Sequence, residues 1–449
     1  TALETTMSWL DQHPEVRNVR LGAADLNGQP RGKRLPVRFA RKVEEEGTRF
    51  PLSVLNLDIW GEDVEDSPLV FEIGDPDGVL RPTERGYVPM PWLQTPSALL
   101  PMWMFTEAGE PFAGDPRHAL RAVLDRFASR GLTPVVATEM EFYLVDDSGS
   151  EIRQAPSPRS GKRRPGAEIL SLRALDAFDA FFNDLYDACD VMDIPAEAAI
   201  SEVGLGQIEF NLVHDHDALK AADDAWFFKM LVHGLARNHG FAASFMAKPY
   251  EDYAGSGLHT HFSLVDAEGR NLFADGSFEG SPLLHQAIAG CLKGIPELTL
   301  VFAPHANSYE RLVPESHAPT GICWAYDNRT ASVRVPGGSV GARRLEHRVA
   351  GGDVNPYLFL AAVLGSALVG IEDAMAPPPP IMGNAYEQDL PQIPDTWEGA
   401  IDTFEGSAFA RRIFDERLID NFVMTKRQEA HYMKELTPRQ QLELYLDTV

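Results

Sequence analysis

Carboxylates set inside apolar, strand-like runs constrain this chain more than any other feature. Glu139 and Glu141 sit in the run Ala-Thr-Glu-Met-Glu-Phe-Tyr-Leu-Val at 137–145, and Glu202 and Glu209 flank the run Val-Gly-Leu-Gly-Gln-Ile at 203–208. Glu346 lies in Arg-Arg-Leu-Glu-His-Arg at 343–348, and His259 in Gly-Ser-Gly-Leu-His-Thr-His-Phe-Ser at 255–263. Burying an ionised carboxylate is costly unless a cation or a hydrogen-bond donor compensates it. Five carboxylates and an imidazole gathered on one sheet would suit hard divalent cations such as Mg²⁺ or Mn²⁺. The fold must therefore bring four distant segments together around positive charge.

Strand geometry says which side chains share a face. Residues i and i+2 point the same way, so Glu139, Glu141 and Tyr143 group together while Met140 and Phe142 pack behind. His259 and His261 pair by the same rule, as do Arg344, Glu346 and Arg348. Glu202 and Glu209 are an odd number of residues apart and would face opposite ways on one regular strand. Gly204 and Gly206 supply the bend that would return both to one site.

The 449 residues are too many for one ordinary core, and two or three parts are expected. Residues 16–105 alternate short apolar runs with Gly/Pro turns. Strands are expected near 16–21, 54–60 and 69–73, giving a small β-rich domain over 1–110. Asp115-Pro116 opens a helix that Gly131 closes, beginning a larger domain over 111–449. Amphipathic helices follow over about 173–190 and 216–239, with an exposed loop at 148–166. The proline run at 377–380 precedes a helical tail over 397–446.

Sixty-six acidic against forty basic residues leave a net charge of −26, which disfavours nucleic acid and anionic membranes as partners. The first ten residues lack the basic start and apolar run of a leader. The apolar stretch 357–371 is shorter than the ~20 residues a membrane span needs. A cytoplasmic protein is expected. Cys189, Cys291 and Cys323 are spaced too widely for a zinc motif and too few for a disulfide framework, so each should be a small buried side chain. Arg311, Arg329, Arg334, Arg344 and Arg348 crowd the segment around Glu346, and guanidinium forks match carboxylate and phosphoryl oxygens. Cations beside arginines suit phosphoryl transfer, although no P-loop or kinase signature is present.

Taken in order, these motifs resemble the glutamine synthetase superfamily. They are the Glu-x-Glu strand, Gly-Ser-Gly-Leu-His at 255–259, Asn-Ser-Tyr-Glu-Arg-Leu-Val-Pro at 307–314, Ala-Pro at 318–319, Asn-Arg-Thr-Ala-Ser-Val-Arg at 328–334, Ala-Arg-Arg-Leu-Glu at 342–346 and Asn-Pro-Tyr at 355–357. The resemblance implies an N-terminal β-grasp domain and an α/β domain with a curved antiparallel sheet. It also implies a dodecamer of two hexameric rings, in which a neighbour's N-terminal domain completes each site. Glu141, Glu202 and Glu209 would hold one cation, and Glu139, His259 and Glu346 a second, with two or three Mg²⁺ or Mn²⁺ per site. Gly255, Arg311 and Arg348 would bind glutamate. Glu197, His261, Ser263, Arg329 and Arg334 would serve ATP, the two arginines also stabilising the transferred phosphoryl group.

Departures from the family pattern concern the acceptor. The Phe-Asp-Gly-Ser-Ser motif that supplies a catalytic Asp in ammonia-using relatives is missing, and Asp58 is the nearest replacement. The flap reads Val-Pro-Glu-Ser-His-Ala-Pro at 313–319, placing His317 where those relatives have a glutamate. Ala254 stands for an Asn, and Gly341 for a Lys. The pattern looks more like the γ-glutamylpolyamine synthetases. The expected activity is ATP-dependent ligation of the glutamate γ-carboxylate to putrescine, a polyamine or another alkylamine, through a γ-glutamyl phosphate. The alternatives are an ordinary ammonia-using glutamine synthetase and a non-catalytic scaffold.

Overall fold

The computed structural model describes residues 9–166 and 169–449. Most of the stretch read for a leader, residues 1–8, lies outside the described residues. Near the N-terminus, six strands form one sheet: β1 (Asn18–Ala24), β2 (Pro30–Pro36), β3 (Thr48–Pro51), β4 (Asp77–Pro82), β5 (Val88–Pro89) and β6 (Ser97–Phe105). Their order is β2-β1-β6-β4-β3, with β5 also on β6 and β1 parallel to β6. Val19, Leu21, Leu80, Leu100 and Met104 fill a compact core on this sheet.

A nine-stranded, curled sheet carries the acidic motifs. Its strands are β7 (Thr133–Asp146), β8 (Arg153–Gln154), β9 (Ala196–Ser201), β10 (Gln207–Asp215), β11 (Ala242–Ser244), β12 (Leu258–Val265), β13 (Trp324–Tyr326), β14 (Val333–Val335) and β15 (Leu345–His347). The order is β13-β14-β15-β12-β7-β10-β9, with β8 and β11 on β7, and only β13 and β14 pair in parallel. Along β7 the expected alternation is visible. Met140 and Phe142 are fully buried, while Glu139 and Glu141 are half-buried on the other face.

Helices cover the side facing away from the glutamates. Asp115 caps the helix Pro116–Ala128 by accepting from Arg117 N at 2.9 Å, and Gly131 just beyond it has φ +70°. Asp217 caps Ala218–Asn238, which packs on β7, β10 and β11. Asn355 caps Pro356–Glu372, whose residues 356–371 are all buried among the helices Pro116–Ala128, Ala218–Asn238 and Pro282–Glu297. A helix apolar all round is buried at the centre of its domain. Among the described residues no helix is long and apolar enough to cross a membrane. The three cysteines are buried and unbonded.

The structure corrects four sequence expectations. Residues 54–60 are not a strand; the 3₁₀ turn Leu52–Asn56 leads into a loop there. Asn56 is drawn into tertiary hydrogen bonds with Gly114 O and Asn421, which override the alternating pattern. Residues 69–73 are also not a strand. Ser67 and Pro68 start the short helix Pro68–Phe71, with the serine capping Leu69 N. The helix expected over 173–190 is two, Leu172–Asp176 and Asp179–Val191, broken where Phe178 turns into the core. The helical tail is likewise four helices, Trp397–Glu405, Ala408–Arg411, Glu416–Met433 and Pro438–Thr448.

Buried polar contacts fasten the N-terminal sheet to the rest. Lys426, fully buried, bonds Glu429 at 2.8 Å and Asn27 Oδ1 at 2.5 Å. The other Glu429 oxygen accepts from Asn27 Nδ2 at 2.8 Å and Ile59 N at 2.9 Å. Asn355 Nδ2 donates to Asp25 O at 2.9 Å, and Trp226 Nε1 to Gly28 O at 2.9 Å. Removing one member of a buried ion pair strands the other. Lys426→Met should therefore destabilise the protein by about 3–5 kcal/mol in urea unfolding. The double change Lys426→Met, Glu429→Gln should recover most of that loss.

Candidate active site

Strand register assembles the acidic residues into rows. Glu209 on β10 lies opposite Glu141 on β7, and Glu139 on β7 stands between Asn211 and His259. Further along, Glu346 on β15 lies between His261 on β12 and Arg334 on β14. Directly opposed Cβ atoms are about 5 Å apart, so five strands place this chemistry on one face. Glu202 comes from the turn between β9 and β10, where Glu202 N bonds Gln207 O at 2.9 Å and Gly206 takes φ +76°. The turn returns Glu202 to within hydrogen-bonding reach of Glu209, as the two glycines implied.

Around these rows lies a cavity of about 900 Å³. Its lining includes Glu139, Glu141, Glu202, Glu209, His259 and Glu346, together with Gly255, Arg311, Arg329, Arg334, Arg348 and His317. A wider cleft of about 1210 Å³ beside Lys248, Tyr250 and Tyr445 also carries acidic and basic side chains but none of the strand-borne glutamates, so size does not single out the site. Four expected residues do not line the cavity. His261 touches Glu139 next to it, Ser263 sits one pleat further along β12, and Glu197 is exposed on edge strand β9. Asp58 is buried in a loop, where Oδ1 accepts from Trp60 N and Glu62 N and Oδ2 from Gln428. Sequence reasoning did not single out Gln207, whose amide bonds Gly255 O at 3.0 Å and Ser256 Oγ at 3.1 Å. Nor did it place Tyr386, Asn384 and Thr330 on the wall, although Thr330 lies within the motif at 328–334.

Close backbone approach explains two glycines. A Cβ at Gly255 would meet Ala247 O at 2.5 Å and Arg311 Cγ at 2.7 Å, and one at Gly257 would meet Arg311 Nη2 at 2.8 Å. That contact lets Gly257 N donate to Glu141 Oε2 at 2.8 Å. Arg311, fully buried, donates to Val349 O at 2.7 Å.

Electrostatics divides the carboxylates into two groups. Burial, then repulsion from Glu141 and from each other, holds the Glu202 carboxyl well above its ordinary range. Burial and repulsion from Glu139 and Glu141 raise Glu209 in the same way. Burial would also raise Glu139, but the His259 and His261 rings reverse this and hold it far below. His261 Nε2 is 2.8 Å from Glu139 Oε1, and His259 Nδ1 is 3.5 Å from both Glu139 and Glu346. Glu346 is lowered against its burial by His259, Arg348 and His261, with Arg334 Nη1 at 2.8 Å.

Glu139, His261 and Glu346 offer atoms within 4.8 Å of one another, a geometry that could hold a metal ion. Arg344 Nε, however, donates to His261 Nδ1 at 3.1 Å. A neutral His261 then carries its proton on Nε2, toward Glu139, and has no lone pair there for a cation. His259 Nδ1, aimed between Glu139 and Glu346, does not meet this obstacle.

Residues 113–445 match the family described as glutamine synthetase, catalytic domain. The chain belongs to the glutamine synthetase family. It is 36% identical over 448 residues to the γ-glutamylputrescine synthetase PuuA of Escherichia coli (strain K12), covering 98% of this chain and 93% of that protein. It is 32% identical over 448 residues to a glutamate–isopropylamine ligase of a Pseudomonas species, covering 98% and 97%. Among solved structures, a GmaS/ADP complex superposes with a TM-score of 0.83 at 28% identity, covering 96% of this chain and 97% of that one. The curled sheet with its smaller N-terminal sheet is thus the fold of this family.

Protons on Glu202 and Glu209 must leave before both can bind a cation. Mn²⁺ binding to the metal-free protein should therefore release protons and tighten between roughly pH 6 and 8, as read by calorimetry in buffers of different ionisation enthalpy. Because the folded-state carboxyls titrate above their unfolded values, the empty site should also lose stability as pH rises through that window, and Mn²⁺ should restore it. Binding without proton release would contradict the crowding.

Proposed function

We propose that this chain is a C–N-bond-forming ligase that joins the γ-carboxylate of glutamate to an alkylamine, diamine or polyamine, converting ATP to ADP and phosphate. The observation that carries this reading is the convergence of a carboxylate cluster and an arginine cluster on one cavity. Its relatives named for putrescine and isopropylamine support an amine acceptor.

Glu141, Glu202 and Glu209 form one cation site, and Glu139, His259 and Glu346 a second. The raised carboxyls of Glu202 and Glu209 are what crowded anionic ligands for a cation should show. Bound Mg²⁺ or Mn²⁺ would polarise the phosphoryl oxygens and offset the charge that builds up during transfer. Gly255, Arg311 and Arg348 hold glutamate. The exposed guanidinium of Arg329 and the buried, unpartnered Nε of Arg334 line the cavity and would offset charge on the phosphoryl group. A γ-carboxylate oxygen attacks the γ-phosphorus, the bond to ADP breaks, and γ-glutamyl phosphate forms. A neutral amine then adds to the acyl carbon and expels phosphate, giving up a proton to a carboxylate.

His317 stands on the flap where ammonia-using relatives carry a glutamate, so an imidazole replaces the carboxylate that favours ammonium at that position. Asp58, buried and bonded through both oxygens within its own subunit, offers no free carboxylate to the amine, and the site would be completed by the N-terminal sheet of a neighbouring subunit in a double ring of twelve. Glu197, His261 and Ser263 would contact the nucleotide, His261 as the donor that orients Glu139. The division at residue 110 separates the two sheets, and substrates such as ATP and glutamate suit a cytoplasmic setting.

Phosphate release from ATP and glutamate should depend on the amine. Putrescine or a monoalkylamine should reach half-saturation at least about ten-fold below ammonia, a preference of about 1.4 kcal/mol. Saturation by ammonia at the lower concentration would make this an ordinary glutamine synthetase. No amine-dependent release from metal-replete protein would favour a scaffold.

A further inference from the structure

Segment 313–319 forms one wall of the cavity through Glu315, Ser316, His317 and Ala318. Its backbone is twice left-handed, with φ +60° at Glu315 and +66° at His317. Side chains in that region persist only where the surroundings hold them. Near the base of the segment, the Ser316 hydroxyl reaches the carbonyls of Val313 and Arg311 at 2.6 and 2.9 Å. At its far end the Tyr386 hydroxyl donates to Ala318 O.

Tyr386 stands on a stretch that is itself tied down. Asn328 Nδ2 donates to Gly383 O at 2.7 Å, and Thr330 Oγ1 accepts from Ala385 N at 2.9 Å. Arg329 is the residue between those two anchors, and Arg348 donates to its carbonyl. One phenol therefore connects the strained wall to the turn that carries Arg329. The Tyr386 ring is half-buried on the cavity wall, within the electrostatic reach of Arg348 and Arg311.

We propose that Tyr386 is a positioning residue for the acceptor step. Its bond to Ala318 latches segment 313–319 shut, so that the activated carboxyl meets an amine and not water. This rests on the reading of the cavity given under Proposed function. With the latch open, a water oxygen adds to the acyl carbon of γ-glutamyl phosphate and the bond from that carbon to the phosphate oxygen breaks. Glutamate and phosphate leave, and the water proton passes to solvent. Closure that excludes water suppresses such side reactions.

Tyr386→Phe removes the hydroxyl and keeps the ring. In the ligand-free protein, amide hydrogen exchange over 313–319 should quicken by about five-fold, the equivalent of one neutral hydrogen bond. In turnover, phosphate released per amide formed should rise above the wild-type ratio, and the amine KM should rise about five-fold with the ATP KM unchanged. A merely structural role would lower kcat without separating phosphate from amide. Unchanged exchange overturns the proposal, and so does faster exchange with wild-type coupling and amine KM. If the wild type makes no amide from any amine, the reading of the cavity fails, and the exchange rates alone decide the latch.

Discussion

Negative charge packed onto one face of a curled sheet is the constraint that the rest of this structure answers. Glu139, Glu141, Glu202, Glu209 and Glu346 approach one another because β7, β10, β12 and β15 pair in a register that opposes them. The cost is tolerable only with compensation close by. Glu139 and Glu346 find it in His259, His261, Arg334 and Arg348. Glu202 and Glu209 have only the neutral donors Val203 N and Asn211 Nδ2, and burial with repulsion from neighbouring carboxylates holds both carboxyls above their ordinary range.

Rigidity behind that face makes the crowding possible. Helix Ala218–Asn238 backs the sheet, and Pro356–Glu372 packs behind it among the helices, so their buried side chains leave the strands little freedom to splay. Gly255 and Gly257 let the Arg311 side chain lie against the backbone of a cavity wall. The cavity mouth is built differently. Segment 313–319 has strained backbone and few anchors, the features of an element that opens and closes.

Much of the site was legible from residue pattern. The period of two on β7 placed Glu139 and Glu141 on the face opposite Met140 and Phe142, because strand geometry leaves no other choice. The glycines at 204 and 206 announced a turn between Glu202 and Glu209. Errors fell where tertiary contacts outweighed local preference or where a local cap was overlooked. Asn56 was pulled into a turn by Gly114 and Asn421, and Ser67-Pro68 capped a helix within an apolar run that resembled a strand.

The sequence by itself determined which charged side chains share a sheet face and, through the order of its motifs, the family fold. Alternation and capping are local, so they can be read from neighbours along the chain. Only the tertiary structure decided how the carboxylates divide into a charge-crowded group and a compensated one. It also decided that Arg344 occupies Nδ1 of His261, that Asp58 staples a loop, and that Tyr386 meets Ala318. Each of these depends on a partner from a distant segment, and protonation and hydrogen bonding depend on distance in space and not on distance along the chain.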